Sequence, residues 1–113
     1  MANDDIFESA IRSKGDLAGV YEYDGETGYF YLYQTGANGN KVIAAIHILS
    51  EDPDFVAKDV TIRWDKEGEC VGLFIRTDLW AVFDTRDQAK YGGDYQAGKP
   101  PDLPAHASIG FDH

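Results

Sequence analysis

Cysteine is almost absent from this 113-residue chain. Cys70 stands alone, which excludes an internal disulfide, a two-cysteine redox pair and a four-cysteine zinc site. Long apolar runs are missing too, since none approaches the ~20 residues that span a bilayer. The acidic start, MANDDIFESAIRSKG, lacks the basic segment and apolar core of a signal peptide. A cytoplasmic protein without membrane contact is therefore expected. Positive charge is scarce: 10 Lys and Arg face 20 Asp and Glu, for a net charge of −10. A field of that sign repels phosphate backbones and disfavours nucleic acid as a partner. It draws in basic proteins and speeds their encounter, although acidity also serves solubility alone.

Catalytic signatures are equally sparse. There is no Gly-x-Ser-x-Gly elbow, phosphate loop or dinucleotide fingerprint. None of the serines at 9, 13, 50 and 108 sits in a recognisable strained turn beside a base. His47, His106 and His113 show neither His-x-x-x-His nor His-x-Glu spacing. Glu67 and Glu69 beside Cys70 raise a thiol's pKa, which favours a structural role for that residue. The acids at 24–26 and 51–54 do not follow the spaced oxygen ligands of a calcium loop. The chain thus assigns no catalytic residue, no metal and no cofactor.

What is present is apolar and aromatic: 43% hydrophobic and 13% aromatic residues, enough for one domain over residues 1–113 with a single core. A short N-terminal helix is expected within 1–15. Asp5 and Glu8 form a capping pair, Ile6, Phe7, Ala10 and Ile11 share a helical face, and Lys14 and Gly15 supply the stop. From Asp16 the pattern turns to strands at 17–24, 28–35, 41–49, 60–65, 69–76 and 79–84. Their connections are short, including a Gly-Asn-rich turn at 36–40, so neighbours run antiparallel. The expected fold is mainly β, α+β at the margin: an antiparallel meander of about six strands over 16–84. The tail, 85–113, holds three of the four prolines and four of the twelve glycines. It reads as irregular, with a strand at 106–111 as an option.

Alternation assigns the faces. Val60, Ile62 and Trp64 oppose Thr61, Arg63 and Asp65, so one face there is wet. Tyr29, Tyr31 and Tyr33 share a face opposite Phe30 and Leu32. Residues 42–49 are apolar at both parities except His47, so these strands need cover on both sides. The N-terminal helix, the tail or a second subunit could supply it. His47 reads first as a half-buried strand residue hydrogen-bonded to a neighbour, and the tyrosines as cross-strand packing or a recognition surface.

Two turns look alike. Asp24 heads Gly25-Glu26-Thr27-Gly28 and Asp65 heads Lys66-Glu67-Gly68. Each places an Asp where its side chain can accept turn amides and a Gly where a left-handed residue forms a bulge. On this reading Gly28 and Gly68 are the left-handed positions. The halves around these turns echo one another, as a three-strand duplication or as two ordinary hairpins.

The segments SKGDLAGVYEYDGETGYFYLYQ, VIAAIHI and VTIRWDKEGECVGLFIRTDLWAVFD resemble the bacterial domain-of-unknown-function family 2251. The matching positions are Asp24 through Tyr31, His47, Trp64, Asp65, Gly68 and Ala81 through Asp84, within residues 13 to 84. The resemblance implies a bacterial, single-domain, mostly β protein and brings no known activity.

Small size, acidity and aromatics favour a non-enzymatic protein-binding module, of the immunity or antitoxin kind, that covers a basic partner. Candidate binding residues are Asp24, Glu26, Tyr29, Tyr31, His47 and Asp84. Two alternatives stay open. One is a small-molecule binder or enzyme near His47. The other is a structural homodimer joined through 28–35 and 41–49.

Overall fold

The computed structural model describes residues 5–36, 39 and 41–111. Among them, two four-stranded antiparallel sheets form, each a meander in chain order. The first holds β1 (Ile6–Ile11), β2 (Leu17–Tyr23), β3 (Gly28–Gln34) and β4 (Lys41–Leu49). The second holds β5 (Val60–Trp64), β6 (Cys70–Ile75), β7 (Asp78–Asp84) and β8 (Ala89–Gly92). A short helix, α1 (Ala105–Ser108), leads into a 3-10 turn at Ile109–Phe111. The mainly β antiparallel class holds and each of the six expected strands forms. They divide between two sheets, and β1 and β8 extend the count.

The expected N-terminal helix is β1. Its register against β2 runs from Ile6 opposite Tyr23 to Ile11 opposite Ala18. Two or three helical turns would close few backbone hydrogen bonds, whereas the open edge of β2 satisfies the same groups outright. Gly15, at φ 76, belongs to the β1–β2 turn, where its amide donates to the Arg12 carbonyl at 2.7 Å. The guanidinium of Arg12 spans that turn to Asp16 at 2.9 and 2.5 Å. Arg12 gains proton affinity from this pairing and Asp16 is held below the usual carboxylate range.

The two sheets pack face to face. Tyr21, Tyr23, Phe30, Leu32, Ile46 and Ile48 from the first meet Ile62, Val71, Leu73, Ala81 and Phe83 from the second, all buried. Phe30 and Phe83 stack with centroids 4.9 Å apart. At one corner the indole Nε1 of Trp64 donates to the Ala10 carbonyl at 2.9 Å, and Arg12 donates to the Gly68 carbonyl at 2.9 Å. At the opposite corner the chain leaves β8 and crosses to the first sheet. Gly93 donates to Trp80, then Asp94 donates to the His47 carbonyl at 3.0 Å and Tyr95 to Ile48 at 2.6 Å. That crossing demands glycine. Gly93 has φ 105, and a Cβ there would lie 2.6 Å from Ile46 Cγ2 and 2.8 Å from the His47 carbonyl oxygen.

The tail departs from expectation in two ways. Its start is ordered as β8. Residues 105–111 are helical, not a strand, with the Ala107 amide donating to the Pro104 carbonyl at 3.0 Å. Proline at the entrance of a helix costs no hydrogen bond. This segment lays Ala107 and Phe111 on Cys70 and Val82, with Leu103, Phe74, Leu79 and Tyr91 around them. The outer face of the second sheet is thereby roofed. Most of the expected 36–40 turn lies outside the described residues. No helix among the described residues is long and apolar enough to cross a membrane.

Candidate functional site

Three of the chain's hairpins are capped by an aspartate at the turn: Asp84 is the last residue of β7, and Asp24 and Asp65 directly follow β2 and β5. Asp24 Oδ1 accepts from the amides of Glu26 and Thr27 at 3.0 and 2.9 Å. These bonds hold its carboxyl below the usual range. Asp65 Oδ1 accepts from Glu69 and Cys70 at 2.9 and 3.2 Å. Asp84 Oδ1 accepts from Arg86 and Asp87 at 3.0 and 3.1 Å. The left-handed glycines are Gly25, at φ 95, and Gly68, at φ 72. The expectation therefore holds for Gly68 and fails for Gly28. Gly28 begins β3 without a positive φ, at a register shift against β4 where it pairs with Leu49 and Tyr29 with His47, and its place is set by crowding. A Cβ on it would sit 2.6 Å from Tyr21 Oη and 2.7 Å from Leu49 Cδ2.

Asp84 is set apart from the other expected binding residues. It is 2% exposed and lies opposite Cys70 across the β6–β7 ladder. Its Oδ2 has no hydrogen-bond partner among the described residues. Burial, and then Asp84 and Asp65, push the Cys70 thiol up to about 12, as a structural cysteine requires.

Tyr29, Tyr31 and His47 do come together, on the outer face of the first sheet. Strand register places their side chains in three rows. Phe7, Glu22, Tyr29 and His47 form the first, and Ser9, Val20, Tyr31 and Ala45 the second. Ile11, Ala18, Tyr33 and Val42 form the third. Tyr29 stacks on Tyr31 with centroids 5.7 Å apart, and Tyr33 meets Tyr31 edge-on at 5.9 Å. Between the tyrosines and β1, Ala18 and Val20 are buried. Phe7 and Ile11 are each 62% exposed, and Val42 and Ile43 are 44% and 47% exposed. Among the described residues nothing roofs this face, in contrast to the second sheet. Burial, and then Glu22, raise the Tyr31 phenol pKa.

One end of the same face is acidic. Asp5 precedes β1, Glu22 ends the first row's β2 position, and Asp24 and Glu26 form the β2–β3 turn. Glu51 and Asp52 follow β4 at that end, and all six are exposed. None makes an ion pair among the described residues. The cations of this sheet, Arg12, Lys14 and Lys41, belong to the other end.

His47 is held more firmly than its sequence context indicates. Its Nδ1 lies 3.0 Å from Asp94 Oδ1 and its Nε2 2.6 Å from Ser50 Oγ. Tyr29 meets the ring edge-on at 5.3 Å. Sequence reasoning missed Ser50 and Asp94. The visible signals were a serine three residues beyond the histidine and the Gly-Gly-Asp at 92–94, whose crossing between sheets cannot be read locally. A depression of about 260 Å³ adjoins His47, Lys90, Gly92 and Asp94. A larger cavity of about 580 Å³ lies at the far end of β4, between the sheets, against Leu17, Leu32, Ile43, Phe83 and Thr85. His106 bonds Tyr91 Oη at 3.1 Å, while His113 lies outside the described residues. Among the described residues no group of three or more His, Cys, Asp or Glu could hold a metal ion.

Comparison with known proteins supplies a family. The model of uncharacterised proteins conserved in bacteria, domain of unknown function 2251, matches residues 2–102. An uncharacterised protein of Haemophilus influenzae is 30% identical over 91 residues, 72% of this chain and 56% of the relative. The chain thus spans a little over half the length of that curated relative. No solved structure matches. The chain belongs to this bacterial family of unknown function.

Proposed function

For this member of an uncharacterised bacterial family, we propose that its main role is to dock a basic protein, as an immunity or antitoxin-type module does. The docking surface is the outer face of the first sheet, and the partner's cationic patch sits over the acidic end. One observation carries the reading: among the described residues, the roof over the second sheet has no counterpart over Tyr29, Tyr31, Tyr33, Phe7 and Ile11. Tyrosines give large, rigid contact area with polar tips and are enriched where binding energy concentrates.

Size and charge fit that role. Four strands ~4.8 Å apart and about six residues at ~3.3 Å give a face of ~400 Å², about half of the ~800 Å² per partner in a standard interface. The tyrosine face is then the apolar centre, and Glu22, Asp24, Glu26, Glu51 and Asp52 extend it as a polar rim. A net charge of −10 steers a basic partner toward that rim and accounts for speed more than affinity. A second copy turned end for end would set Arg12, Lys14 and Lys41 near the acidic end, but it carries the same net charge of −10 and is repelled overall.

The test is capture from the native host with the wild-type chain and with the Tyr29→Ser/Tyr31→Ser double variant, at low and high salt. The expected result is a basic protein retained by the wild type, released by salt and lost by the variant. Equal retention by both chains, or a self-associated chain in light scattering with no partner, would count against it.

A further inference from the structure

The corner where β4 meets the crossing segment carries a second chemistry, which does not depend on the docking reading. We propose that Ser50, His47 and Asp94 form a nucleophilic site that cleaves short, uncharged acyl esters. Ser50 is the nucleophile, His47 the general base, and Asp94 the residue that positions the imidazole.

The order of contacts is what the chemistry needs. Ser50 Oγ is 2.6 Å from His47 Nε2, and Asp94 Oδ1 is 3.0 Å from His47 Nδ1. Both distances are within reach of proton transfer and orientation. An ionised carboxylate only accepts, so Nδ1 carries the proton and Nε2 is left to accept from the serine hydroxyl. That tautomer is the one a base working through Nε2 requires. The ring is fixed by Tyr29 at 5.3 Å and by the Asp94 amide, which donates to the carbonyl of His47 itself. Asp94 reaches it because Gly92, Gly93 and Asp94 are consecutively left-handed, at φ 85, 105 and 52. Aspartate is among the non-glycine residues that enter this region most readily, so the crossing can carry a carboxylate where it needs a left-handed residue.

The surroundings set the substrate class. A depression of about 260 Å³ lies on the His47 and Asp94 side of the site, with Lys90 in its wall; it is small for a ligand site, which limits the ester to short groups. Glu51, Asp52 and Asp94 outnumber Lys90 around the serine and the depression, a negative balance that disfavours phosphate and carboxylate esters. The backbone amides of Glu51 and Asp52 make no hydrogen bond among the described residues, which leaves them available as donors to an oxyanion. In the first step Ser50 Oγ bonds to the acyl carbon and its proton passes to Nε2. The ester C–O bond then breaks as that proton moves to the departing alkoxide. Water next adds to the acyl carbon and gives a proton to Nε2. The acyl–Oγ bond breaks, the proton returns to Ser50, and the carboxylic acid leaves.

The experiment uses the full chain and its Ser50→Ala, His47→Gln and Asp94→Asn variants. It reads p-nitrophenyl acetate hydrolysis and labelling by a fluorophosphonate, in which an Oγ–P bond forms and fluoride departs. Expected are one label per chain, mapped to Ser50, and ester turnover lowered ~100-fold or more in Ser50→Ala and His47→Gln, with a smaller loss in Asp94→Asn. Ser50 is exposed, so its alanine variant keeps the fold and decides the matter alone. An unlabelled wild type, a label mapped to a tyrosine, or turnover equal in Ser50→Ala overturns the proposal and leaves the three residues as a structural clasp.

Discussion

Gly28→Ala should destabilise the protein through crowding, and Tyr21→Phe should rescue it. The added Cβ would lie 2.6 Å from Tyr21 Oη and 2.7 Å from Leu49 Cδ2, both on buried side chains. Overpacking of a filled core costs ~1–3 kcal/mol, which for a chain of this size lowers Tm by ~4–12 °C at ~4 °C per kcal/mol. Tyr21 Oη has no hydrogen-bond partner among the described residues, and burial raises its pKa. Removing that hydroxyl in Tyr21→Phe should therefore be neutral or stabilising by ~1 kcal/mol. The double variant should recover ~1–2 kcal/mol of the glycine penalty, a coupling that a double-mutant cycle of urea melts reads directly. Gly25→Ala is the control. Its nearest neighbour is 3.7 Å away and its φ is 95, so it should cost ~1 kcal/mol through the backbone. That loss should show no coupling to Tyr21. A Gly28→Ala variant as stable as the wild type, or a loss untouched by Tyr21→Phe, would refute the crowding explanation.

Other consequences follow from the turns, the thiol and the roof. Asp65→Ala frees the amides of Glu69 and Cys70 and should cost ~1–2 kcal/mol in urea melts, with Asp65→Asn retaining part of it. The Cys70 pKa is raised on folding to about 12 from ~8.5 in the unfolded chain. The folded state therefore keeps this proton longer. Its contribution is intact below about pH 8.5 and is lost as pH rises toward 12, so Cys70→Ala should flatten the decline of stability between pH 8 and 10. The same thiol should resist iodoacetamide at pH 8 until urea unfolds the chain. Phe111→Ala should cost ~3 kcal/mol and expose the outer face of the second sheet, read as new binding of a hydrophobic dye.

Local pattern carried much of the fold. The period of two in Tyr29-Phe30-Tyr31-Leu32-Tyr33 assigned both faces of β3 correctly, because a strand's side chains must alternate. The aspartates at 24 and 65 announced their turns, since a short acceptor at a strand end is satisfied by the amides beside it. The failures were non-local. Residues 6–11 suit a helix or a strand equally, and only the unpaired edge of β2 decides between them. Gly28 reads as a turn glycine from its neighbours, while its cause is the Tyr21 hydroxyl across the ladder. Asp94 and Ser50 are distant or unremarkable in sequence and meet at His47 through the left-handed crossing at 92–94. Asp84 was a candidate binding residue, and its burial as a turn cap opposite Cys70 depends on the β6–β7 register. The tail's roof over Cys70 was likewise invisible, because proline and glycine conceal a short helical turn.

The docking claim is tested most directly by site-specific photocrosslinking in the native host. A benzophenone amino acid is placed at position 31, on the bare tyrosine face, and in a second chain at position 61, on the outer side of β5. The result expected is an adduct with a basic protein from position 31 and none from position 61, suppressed by added salt and by Glu22→Lys. Adducts of equal yield at both positions, or none at position 31, would contradict it.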